Sequence, residues 1–298
     1  TSLGRSKEYA DAFRQKQRSF KGPLCFKWRI DMKFAFKSIV VAAAFVAAGA
    51  ANAASATLVA EGPGANGFAF VSGGGTLTFS QTLIDALNTG GVQVVAAGGA
   101  QSNIVGAPGE YTAVGVTANV SNITIGDSGT GLVEQAQSLG GATQIAGAVK
   151  GVSYGGTISV TNLRIDMVNK NIYADFIGAG KNSTGATVNV NATNVLAWTF
   201  SDVAGPAALG EVATVIGQEV SADTVLSGLS LTSTGFNHLK NGLGLYSIGL
   251  IALQGASTDF GTLTSNLSVV AVPEPSTYAL MGLGLVGIGF AARRRAAK

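Results

Sequence analysis

The chain is 298 residues long, 47% hydrophobic and only 12% charged, and its 42 glycines follow no triplet period, which excludes collagen. Its formal charge of +3 averages unlike segments. Residues 1–31 hold eight basic and three acidic side chains, whereas Ala54 to Val272 hold five basic ones (Lys150, Arg164, Lys170, Lys181, Lys240) against twelve acidic. An acidic middle with so few cations cannot neutralise a run of phosphates, which argues against nucleic-acid binding.

The first 31 residues begin with Thr and mix charge and aromatics without period. They read as an upstream extension outside the functional protein, from a misplaced start, with a genuine cytoplasmic extension as the alternative. A cleaner start follows at Met32, where Lys33 and Lys37 precede the apolar run Ile39–Ala48 and then Gly49-Ala50-Ala51-Asn52-Ala53. Basic, apolar and small-residue regions in that order predict a Sec signal peptide over 32–53, read by a signal peptidase at Ala51 and Ala53. The apolar run is short for a span of roughly 20 residues. Cys25 is the only cysteine and lies upstream of this site. The exported part would then have no disulfide, thiolate zinc site or cysteine nucleophile.

Residues 54–270 predict a mainly β domain, a β-sandwich or similar Gly/Asn-rich antiparallel arrangement with one or two short helices. Runs rich in Val, Thr and Ile alternate with Gly and Asn: 67–71, 76–80, 92–96, 114–120, 122–125, 157–163, 171–177, 187–191 and 195–200. Asn169-Lys170-Asn171 sits between two of them as a hairpin loop. Segments 71–88 and 152–169 align without gaps, with Ile84-Asp85 on Ile165-Asp166, and read as a repeated strand–connection–strand unit. Phe236, Leu239 and Leu243 fall at spacings of three and four, which predicts a helix over 232–243 ended by Gly242 and Gly244. Glu134-Gln135-Ala136-Gln137 favours another short helix within 131–147.

Chemistry-bearing residues are sparse. His238 is the only histidine. A Ser-His-Asp triad would have to use it, no G-x-S-x-G elbow accompanies it, and one histidine does not make a zinc site. It is expected on a helix surface. Asp166 and Asp175 flank the hairpin, with Asp85 aligned on Asp166; paired acids could cleave glycosides or bind calcium, but turn and edge-strand roles are favoured. Gly73–Gly75 lacks the Lys-Ser/Thr of a phosphate loop. Trp198 and Phe200 share one strand face, as a core strand or a sugar-stacking platform. Asn119, Asn122, Asn182, Asn191 and Asn266 each head an Asn-x-Ser/Thr triplet, placed in surface turns. No catalytic residue, metal site or cofactor is expected.

The tail has the clearest order. Pro273-Glu274-Pro275 keeps the chain extended and out of central strands. The apolar run Tyr278–Ala292 and the cluster Arg293-Arg294-Arg295 follow, the pattern of a C-terminal transmembrane helix held by positive charge in the cytoplasm. These residues resemble the PEP-CTERM sorting signal of Gram-negative bacteria. The resemblance covers 271–298 and implies recognition by exosortase, a membrane-embedded transpeptidase-like enzyme, after export by the Sec translocon. It implies a transient inner-membrane stage, then the cell surface or a polysaccharide-rich matrix. For the β domain three functions stay open: a structural or adhesive matrix component, favoured; a binding module for glycan or haem, the latter through Tyr173 and His238; and a glycosidase using Asp166 or Asp175.

Overall fold

A computed structural model of the chain describes residues 54–296. The upstream extension, the signal peptide and its Ala51/Ala53 site lie outside the described residues. From Ala56 to Ala271 the chain forms fourteen strands in one curved antiparallel sheet, a half-barrel. They are β1 (Ala56–Val59), β2 (Phe68–Phe79), β3 (Gln93–Ala97), β4 (Gln101–Val105), β5 (Ala113–Ile125), β6 (Val133–Leu139) and β7 (Gly141–Val149). Then come β8 (Ser153–Asp166), β9 (Asn171–Lys181), β10 (Thr187–Thr199), β11 (Asp202–Ala204), β12 (Glu219–Ser227), β13 (Ser230–Leu231) and β14 (Gly261–Ala271). The main path runs β11-β12-β14-β2-β5-β6-β8-β9-β10-β13, with β1 and β4 also on β5, and β7 joining β8 to β3.

Of the expected arrangements, a β-sandwich or a similar antiparallel domain, the chain forms a mainly antiparallel β domain as one half-barrel sheet rather than two separate sheets. Several expected strands merge into longer ones that bend at bulges, so the ladder continues around the curve. Val120 and Asn122 bracket one bulge in β5, Ala192 and Val195 another in β10. Gly73–Gly75 lies inside β2, paired with Ser265, Asn266 and Leu267 of β14. Residues 131–147 are strands rather than a helix. Ala136 stands between Ile123 and Ile165, and Gln135 between Thr124 and Asp166, so pairing on both sides overrides helix propensity.

Among the described residues four α-helices accompany the sheet: α1 (Gln81–Gly90), α2 (Ser233–Leu243), α3 (Ile248–Ala256) and α4 (Pro275–Ala296). The expected helix over 232–243 is α2. Its N-cap Thr232 accepts from the Gly235 N–H at 3.1 Å, and Gly244 closes it in the left-handed conformation, φ 61°. The signals of α1 are the same, Ser80 accepting from Leu83 N–H at 3.1 Å and Gly91 at the end. Segment 71–79 therefore lies in β2 and 81–88 in α1, whereas 153–166 is one strand; the two aligned segments share only their strand half. The 169–171 hairpin joins β8 to β9, with Lys170 at φ 54°.

The larger core lies between the sheet and α1–α3, around Ile158, Phe176, Trp198, Leu239 and Phe260. A second cluster gathers Leu58, Phe70, Ile123, Leu209 and Val269. Helix α2 lies directly on β8 and β9 because two glycines leave it room. A Cβ on Gly156 would stand 2.2 Å from Gly242 O, and one on Gly180 would stand 2.1 Å from Asn241 O.

Candidate functional site

β14 ends at Ala271 in the interior of the sheet, paired with β12 on one side and β2 on the other. The next residue, Val272, is still tied to the domain, its N–H donating to Gly67 O at 2.9 Å. Pro273 and Glu274 follow at once, half-buried, and α4 begins at Pro275. From Tyr278 to Phe290 its large apolar side chains are 48–68% exposed. Arg293, Arg294 and Arg295 occupy its last turn, where positive charge suits the helix dipole. The helix is shorter in apolar terms than a transmembrane assignment needs. Tyr278–Ala292 rises only about 22 Å at 1.5 Å per residue, against a hydrocarbon core of roughly 30 Å. Among the described residues no helix is long and apolar enough to cross a membrane.

The sequence-derived candidates are dispersed. Asp166, 7% exposed, closes the β8–β9 turn: Asn169 donates to it through its backbone N–H and its side-chain amide, both at 2.9 Å. Burial pushes its carboxyl pKa up, but the two Asn169 hydrogen bonds, the Arg164 charge and the Val168 N–H outweigh this and hold it below the usual carboxylate range. Asp175 is a clamp for two bulges. It accepts from Asn194 N–H at 2.7 Å and from the Asn162 amide at 2.9 Å, and both asparagines have positive φ. Asp166 is in register with Asn171, so four residues of β9, about 13 Å, separate it from Asp175. Glycosidase carboxylates stand roughly 5 to 9.5 Å apart. Asp85 is on α1, accepting from Gln81 at 2.8 Å.

A pH dependence follows from Asp166. Because its folded pKa is depressed, its contribution to stability is present above the unfolded pKa and lost as pH falls through the folded value. The stability difference between the native chain and Asp166→Asn is expected to be full at pH 7 and to shrink below about pH 4. Urea melts at the two pH values check this.

His238 packs its ring on Phe176 at 5.2 Å, on the core side of β9. Tyr173 lies on the opposite face, under the Arg164 guanidinium at 4.0 Å. Residues three apart on a strand point to opposite faces, so β9 stands between the two groups and they cannot share one iron. Trp198 and Phe200 are core residues, each 4% exposed, and form no surface platform. Of the five Asn-x-Ser/Thr asparagines only Asn182 is in a turn; Asn119, Asn122, Asn191 and Asn266 are in strands, where ladder pairing placed them.

Composition gave no sign of a further site. The concave face of the half-barrel encloses a cavity of about 100 Å³ lined by β2, β5–β8, β12 and β14 together with Trp198, Leu209 and Phe260. No Asp, Glu, Lys or Arg lines it. Its polar side chains are Thr224, whose hydroxyl donates to Pro206 O, and Gln144, Ser138 and Ser265, which have no side-chain hydrogen-bond partner among the described residues; Trp198 Nε1 is fully buried in the wall and also without one. Alternation along β6 and β7 predicts that Ser138 and Gln144 point to one face, but not that this face is enclosed.

Residues 271–295 match the family model of the PEP-CTERM protein-sorting motif. No curated protein matches the chain. Among solved structures it is similar to the C-terminal domain of HtaA from Corynebacterium glutamicum, at 10% identity and a TM-score of 0.35, over 66% of this chain and 99% of that one. It is also similar to the heme binding protein HtaB from Corynebacterium glutamicum, at 10% identity and 0.35, over 72% and 96%.

Proposed function

We propose that this chain is an exosortase substrate whose β domain is a structural or adhesive component of a polysaccharide-rich extracellular matrix and performs no catalysis. The motif at 271–295 implies export and exosortase processing. The observation that supports release of an intact domain is the position of Pro273-Glu274-Pro275. This trio starts two residues after the last strand, and β14 is paired on both sides, so cutting near Pro273 releases the domain without removing any part of its sheet. Before processing, α4 lodges in the inner membrane with its arginines at the cytoplasmic side. A short apolar segment is accommodated there by local thinning of the bilayer and by long cationic side chains reaching the interface.

In this reading the Sec translocon and signal peptidase remove residues up to Ala53. Mass spectrometry of the exported protein is expected to find Ala54, or a residue within a few positions, at the N-terminus; peptides from 1–31 in secreted material would contradict it. The matrix role is tested with the exported protein and the polysaccharide of the producing cells. Co-sedimentation with undegraded polymer is expected. Release of new reducing ends would replace the matrix reading with a glycosidase.

A further inference from the structure

We infer that the concave cavity is a binding site for a small neutral amphiphile, a hydrocarbon body with one uncharged hydrogen-bonding end. This inference is independent of the sorting route. Three properties of the cavity select that chemistry. Its wall is hydrocarbon from several strands, which favours apolar groups by removing their surface from water. It holds no charged side chain, so an ionised ligand would be desolvated there without a partner. Its polar side chains are few, and Gln144, Ser138 and Ser265 face it without a hydrogen-bond partner among the described residues, although polar groups on nearly buried residues are as a rule hydrogen-bonded.

Those groups also define the end of the ligand. Gln144 offers both a carbonyl acceptor and an amide donor, and Ser138 and Ser265 each a hydroxyl that does either, whereas Trp198 Nε1 is sealed within the wall. A hydroxyl, which donates and accepts, can satisfy the Gln144 amide in either orientation, whereas an alkane can satisfy none. Gln144 and Phe260 also line a second cavity of about 30 Å³ beneath α1 and α3, which places the amide where the two spaces adjoin. A space of about 100 Å³ takes roughly seven to ten water-sized groups. An eight-carbon alcohol has about that many heavy atoms.

The test uses the full chain carrying Trp28→Phe, so that Trp198, the other of its two tryptophans, is the only indole. Probes are 1-octanol, octanoate at pH 8 and n-octane, followed by Trp198 emission. Saturable binding of octanol is expected, with octane about tenfold weaker for want of one hydrogen bond, and no response to octanoate. Gln144→Leu should bring octanol down to the level of octane and leave octane unchanged, which mere loss of packing would not do. Ala142→Phe, filling the cavity, should abolish both responses with an unchanged circular dichroism spectrum; Ala136→Leu makes the same comparison if that variant does not fold. No saturable response to octanol would overturn the inference, since ordered water alone would then satisfy these groups. Equal affinity for octanol and octane, or tighter binding of octanoate, would overturn it too.

Discussion

Replacing Pro273, Glu274 and Pro275 together with alanine is expected to leave the exported chain almost wholly unprocessed, while the β domain folds as before. Recognition is separable from anchoring here because the two properties sit on different residues. Pro273 and Glu274 lead into α4 and Pro275 is its first residue, whereas the apolar run and arginines begin only at Tyr278 and Arg293. Alanine keeps the hydropathy and the positive charge, so membrane association should persist. A loss of at least about tenfold in processing corresponds to one interaction of about 1.4 kcal/mol in the processing transition state. Immunoblots of membrane and released fractions check it. Exchanging Arg293, Arg294 and Arg295 for neutral residues should act differently, by weakening retention of a helix already short for the bilayer. Release of the alanine variant at the native rate would reduce the segment to a plain tail anchor.

Gly180→Val is expected to destabilise the β domain by about 3 kcal/mol or more, in the upper range for single substitutions. A Cβ at this position meets Asn241 O at 2.1 Å and Gly244 N at 2.7 Å, which are backbone atoms of the α2 terminus and cannot rotate away. The helix would have to lift from β8 and β9. Lifting it exposes Leu239 and Leu243, at 1% and 4% exposure, together with the Ile158 and Phe176 surface beneath them. Gly147→Ala is the control, because a Cβ there has open space; it should shift the midpoint little. Urea unfolding of both variants, followed by circular dichroism, makes the comparison. A Gly180→Val midpoint equal to the native one would mean that α2 is not seated on the sheet as described.

Strand content, the 169–171 hairpin and helix α2 were legible because each rests on local information: β-branched runs, turn asparagines, and a 3–4 spacing between Thr232 and Gly244. Helix α1 has an equally local signal in Ser80 and Gly91. It was obscured by aligning 81–88 with 162–169, where similar residues lie in a strand and its turn. The residue pattern could not show that Gly73–Gly75 is a paired strand interior, or that Gln135 and Ala136 stand between two partners. Those outcomes depend on neighbours distant in sequence.

The tail was readable from sequence alone, since a sorting signal is recognised as an ordered string: Pro-Glu-Pro, an apolar run, an arginine cluster. No tertiary contact is needed to assemble it. What the paired acids do was decided only by the fold, which gives Asp166 to a turn and Asp175 to two bulges, about 13 Å apart along β9. The fold likewise put Tyr173 and His238 on opposite sides of one strand. The cavity is the extreme case. Ser138, Gln144 and Trp198 come from three strands and acquire a common environment only when the sheet curves, and curvature is set by bulges and long-range register that period-2 alternation does not encode.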